Sequence, residues 1–133
     1  MKLQIQPKNS KLCGQTCVAM IVDKSLNWTV TNLFNNKRSG TSFKDLHVAL
    51  EKVSIKVKDV VRCNHQTIFP VLSICRIHFN KVKNHSHYCI IVKNNDKRGY
   101  NKYVKHFIYD PAGFKTTDFL KGSYPTSFME IVK

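Results

Sequence analysis

Residues 87–113 read HYCIIVKNNDKRGYNKYVKHFIYDPAG, two runs of β-branched and aromatic residues separated by asparagines, an aspartate and a glycine. Branched and aromatic side chains pack well on a pleated surface, and the polar interval between them is turn chemistry. Residues 87–93 and 103–109 are therefore expected as strands, with 94–101 as the tip of the hairpin joining them. An antiparallel hairpin brings the start of its first strand beside the end of its second. His87 opens the first strand and Asp110 follows the second, so the two become neighbours.

Upstream, residues 55–61 and 69–79 have the same character and are expected as further strands. The first third of the chain differs. In residues 13–24, Cys17, Val18, Met20 and Ile21 recur at helical spacing, which predicts a buried first helix. Residues 29–36 read as a short second helix, with Gly40 as a break after it. Ser42 and Asp45 form a capping-box pattern ahead of the stripe Phe43, Leu46, Leu50 and Val53, which predicts a third helix. Helices first and antiparallel strands second make an α+β domain, N-terminal helices packed on an antiparallel β-sheet.

At 133 residues the chain is expected to be one domain, 1–133, around one core. Hydrophobic residues make up 42% and charged residues 23%, a globular composition, and no repeat or low-complexity tract interrupts it. Five cysteines, an odd number without regular spacing, argue against a disulfide framework and for thiols kept reduced in a cytosol. No run approaches the roughly 18 apolar residues of a membrane span, and no apolar stretch of signal-peptide length opens the chain. The sequence could still be the C-terminal part of a larger secreted protein. Its strongest deviation is a net charge of +14, from 22 basic and eight acidic residues. A field of that size implies an acidic partner, unless it serves solubility alone.

Three residues carry the chemistry. Cys13 stands at a helix start, where unpaired backbone N–H groups and the dipole favour the nucleophilic thiolate, and Gly14 lets the backbone approach a substrate. His87, at a strand end, supplies an imidazole whose ordinary pKa suits a general base, with His85 in the preceding loop as the competing base. Asp110, beside His87, would fix its tautomer and stabilise its protonated form, although an Asp-Pro turn also accounts for it.

Cys-Gly-Gln-Thr-Cys-Val-Ala-Met-Ile at 13–21, His-Tyr and its apolar run at 87–92, and Tyr-Asp-Pro-Ala-Gly at 109–113 together resemble the papain-like peptidase domains of bacteriocin-exporting ABC transporters, which remove double-glycine leader peptides. The resemblance spans residues 6–114. It implies a papain-like fold and a catalytic triad of Cys13, His87 and Asp110, without a cofactor. It also implies an oxyanion-hole glutamine upstream of the cysteine, here Gln6, seven residues before Cys13 where the family has six. Leu12 stands where the family often has aspartate. Papain-like folds also occur as toxin modules at the C-termini of secreted bacterial proteins. The short, basic chain resembles these, which implies a toxin or effector cleaving an amide in a target cytosol and restrained by an acidic immunity protein.

Two other readings use the same residues. A ribonuclease on this scaffold would use His85 and His87 for acid–base chemistry, with Lys93, Lys97, Arg98, Lys102 and Lys105 around Tyr100 and Tyr103 to track phosphates and stack bases. A zinc site from Cys13, Cys17, His85 and His87 fits no common ligand spacing, so no metal is expected.

Overall fold

The computed structural model describes residues 1–79 and 86–133. Three helices come first, α1 (Cys13–Val22), α2 (Leu26–Leu33) and α3 (Phe43–Glu51). Six strands follow, β1 (Lys56–Arg62), β2 (Leu72–Phe79), β3 (Ser86–Lys93), β4 (His106–Asp110), β5 (Phe114–Thr116) and β6 (Ser123–Val132). They form one sheet in the order β1-β6-β2-β3-β4-β5, with every pairing antiparallel. The α+β expectation holds.

Local signals place the helices. Asp23, in the left-handed conformation, ends α1 while the Lys24 N–H returns to the Ala19 carbonyl at 3.1 Å. The Ser25 hydroxyl accepts the Trp28 N–H at 3.1 Å, so α2 begins three residues earlier than periodicity suggested; positive φ at Asn35 and Asn36 excludes them from it. The capping box of α3 is complete: Asp45 N–H donates to the Ser42 hydroxyl at 3.2 Å and Ser42 N–H to the Asp45 carboxylate at 2.9 Å.

The sheet is buried on both faces, which explains the unbroken apolar run of β3. Tyr88 and Ile90 join Cys17, Ile21, Leu46, Leu50, Ile74 and Met129 under the helices. Cys89 and Ile91 join Cys75, Ile77, Ile108 and Phe128 in a second cluster closed by Phe69 and Phe119. The hairpin expected at 87–109 forms, pairing Ile90 with Tyr109 and Lys93 with His106. Its tip is longer than a tight turn, because Gly99–Tyr103 winds into a 3-10 helix and β4 starts only at His106.

β5 and β6 are additions that the run-based reading missed. β6 lies between β1 and β2 although it carries Pro125, a residue ordinarily confined to edge strands and bulges. The ladder accommodates it by an irregularity: Arg76 pairs with Ser127 but Ile77 with Pro125, leaving Thr126 outside the register.

Candidate active site

Cys13 is the first residue of α1, and Leu12 at the N-cap has no side-chain acceptor, so the first-turn N–H groups have no side-chain cap. On the sheet, His87 lies three residues before the first β3–β4 pair, Ile90 with Tyr109, and Asp110 one residue after it. The ladder thus delivers both to one end of the hairpin, as the sequence predicted. His87 Nε2 and Asp110 Oδ1 are 2.5 Å apart, with only 11% and 4% of the two side chains exposed.

The Asp-Pro turn and the His87 contact coexist. Asp110 Oδ1 also accepts the Ala112 N–H at 2.8 Å, and the Asp110 carbonyl accepts the Gly113 N–H at 2.9 Å. The turn therefore holds the carboxylate in position for the imidazole. A backbone bond from Gln6 N–H to the Pro111 carbonyl, at 2.8 Å, fastens the N-terminal segment to the same turn.

With Nε2 held by Asp110, Nδ1 is the ring nitrogen left for the cysteine, and His87 hydrogen-bonds Cys13. Burial alone would push the Cys13 thiol up, but the hydrogen bond from His87, the backbone bond from Tyr88, the His87 charge and the Gly14 backbone together bring it below the ordinary thiol range. For His87, burial works against the cation, yet the bonds to Asp110 and Cys13 and both their charges outweigh it. Its pKa is pushed up to about 9. The two shifts are opposed, the thiol lowered and the imidazole raised, and both act in favour of the thiolate–imidazolium pair.

The other thiols behave oppositely. All five cysteines are free, and burial drives Cys17 well above the ordinary range and raises Cys89. Cys63 is also raised, first by its hydrogen bond to Cys75 and then by burial. Cys13 stands apart as the thiol whose surroundings favour ionisation. Among the described residues no group of three or more His, Cys, Asp or Glu is arranged to hold a metal ion.

The remaining sequence candidates divide. The Gln6 side-chain amide donates to the Ser10 carbonyl at 3.1 Å, beside the turn that carries Asp110. His85 lies outside the described residues. Lys93, Lys97, Arg98, Tyr100, Lys102 and Tyr103 are all exposed. They gather at the far end of β3 from His87, about 20 Å away at the rise of a strand. The basic tip and the histidine therefore do not form one site. Sequence reading passed over Tyr88 and Thr41, whose contacts with the Cys13 region involve loop packing that no periodicity announces.

A helix-borne cysteine facing a strand-borne histidine and aspartate, helices on one side and antiparallel strands on the other, defines a papain-like cysteine peptidase. The chain belongs to the peptidase C39 family, whose model matches residues 2–118. Its fold is similar to that of the peptidase domain of Streptococcus ComA, a bifunctional ABC transporter involved in a quorum-sensing pathway. The TM-score is 0.61 at 14% identity, over 98% of this chain and 96% of that one. No curated protein matches the sequence. Among the described residues, no helix is long and apolar enough to cross a membrane.

Proposed function

We propose that Cys13, His87 and Asp110 hydrolyse a peptide bond through an acyl-enzyme. The observation that carries this reading is the 2.5 Å contact of His87 Nε2 with Asp110, which leaves Nδ1 to the Cys13 thiol. The Cys13 thiolate attacks the substrate carbonyl carbon, forming a C–S bond and pushing an electron pair onto the oxygen. The Cys13 backbone N–H at the start of α1 stabilises that oxyanion, and Gln6 can join it only by releasing its amide from Ser10. His87 Nδ1–H then gives its proton to the leaving amine as the C–N bond breaks. The neutral imidazole next takes a proton from water, which attacks the thioester and releases Cys13. Asp110 stays ionised throughout and orients the ring.

For the substrate, membership of the C39 family and the full-length likeness to the ComA domain support a leader-type peptide cut after a double glycine. The +14 charge favours an acidic segment in that peptide. The same charge supports a second reading, a toxin or effector domain held by an acidic immunity protein. Expression in bacteria beside Cys13→Ala, His87→Ala and Asp110→Ala separates these. A leader peptidase leaves growth unchanged and cleaves a co-expressed double-glycine peptide, with all three variants inactive. Growth arrest with intact RNA, relieved by each variant, would favour the toxin. Discrete tRNA or rRNA fragments would replace the peptidase reading by a ribonuclease.

A further inference from the structure

The residue after each reacting group, Gly14 after Cys13 and Tyr88 after His87, meets the same loop residue, Thr41. The Tyr88 hydroxyl donates to the Thr41 carbonyl at 3.1 Å. A Cβ placed on Gly14 would lie 2.1 Å from Thr41 Oγ1, so the Thr41 side chain rests directly on the backbone of the nucleophile's helix. Burial of Tyr88, only 6% exposed, pushes its phenol up to about 12, so it remains a donor across the working pH range. The Phe43 ring meets Tyr88 edge-on at 5.2 Å and limits its swing.

The loop is itself anchored to the same helix. Gln15, wholly buried, donates from its side-chain amide to the Ser39 carbonyl at 2.8 Å and the Lys37 carbonyl at 3.2 Å. Residues 37–42 thus sit as a fixed strut between α1 and β3, reached from α1 by Gly14 and Gln15 and from β3 by Tyr88.

We infer that Tyr88 is a positioning residue: by tying β3 to the Thr41 strut on α1, its hydroxyl sets the distance between His87 and Cys13 and so the stability of the thiolate. The inference rests on the Cys13–His87 reading above. The Tyr88 backbone also hydrogen-bonds Cys13, so slack in Tyr88 would loosen two of the contacts that favour the thiolate, its own backbone bond and that of His87. Removal of the phenol oxygen alone removes one neutral hydrogen bond, equivalent to about a three- to tenfold change in an equilibrium when fully transmitted.

The test needs no substrate. The rate of Cys13 alkylation by iodoacetamide, located by peptide mass mapping, is followed from pH 4 to 10 for the unaltered chain, Tyr88→Phe and Ile74→Val. The last variant trims the buried core, where Ile74 is fully enclosed, without touching the strut. The unaltered chain should react at an acid-shifted midpoint, Tyr88→Phe should react about three- to tenfold more slowly on the acid limb, and Ile74→Val should follow the unaltered profile. An unshifted profile in Tyr88→Phe overturns the positioning role, as does an equal shift in Ile74→Val, which would mean that any loosening of the fold suffices. A midpoint at the ordinary thiol value in the unaltered chain would instead remove the Cys13–His87 pairing on which the inference stands.

Discussion

At the level of single residues, reactivity comes from two opposed shifts, the thiol lowered and the imidazole raised. The ion pair forms as pH climbs through the Cys13 pKa and is lost as His87 deprotonates near pH 9. A plot of kcat/KM against pH should therefore be a bell whose alkaline limb falls near 9. Asp110→Ala removes the charge and the acceptor that raise the His87 pKa, so the alkaline limb should move to lower pH and kcat should drop by about 10³- to 10⁴-fold. An unchanged limb would show that Asp110 serves its turn alone. Gly14→Ala is a steric prediction: its Cβ would meet Thr41 Oγ1 at 2.1 Å and Leu46 Cδ2 at 3.0 Å. A loss of about 1–3 kcal/mol in urea unfolding is expected, with activity falling alongside.

Among the elements, β6 carries the sheet, since it pairs with β1 on one side and β2 on the other. Met129 on β6 is 1% exposed beneath the helices, so Met129→Ala should cost about 2–5 kcal/mol, read as a lower urea midpoint at unchanged slope. This strand was illegible in the sequence for a physical reason. Pro125 and Gly122 are turn signals to a local reading, and only the irregular pairing with β2 makes Pro125 acceptable in a central strand. The helices were legible because caps and periodicity are local: Ser42 with Asp45 marked the start of α3 to the residue, while Ser25, an unread N-cap, displaced α2. His87 and Asp110 were legible because one hairpin carries both. The Thr41 strut was not, because Thr41 is 47 residues from Tyr88 and 27 from Gly14, and nothing local couples them.

The whole molecule adds a field. With 22 basic residues against eight acidic ones, it should attract an acidic peptide from a distance, and salt should screen that attraction. For an acidic double-glycine peptide, kcat/KM should fall about tenfold between low and high salt, while a neutral peptide of the same cleavage sequence should change little. The basic tip around Tyr100 and Tyr103 lies at the far end of β3 from His87, so its contribution should appear in KM and leave kcat alone. The central claim, that this fold is a thiol peptidase working through Cys13, is tested most directly by mass spectrometry of a double-glycine peptide incubated with the unaltered chain and with Cys13→Ala. The account predicts two product peptides and a transient acyl adduct on Cys13 with the unaltered chain, and neither with the variant. Cleavage that persists in Cys13→Ala would contradict it.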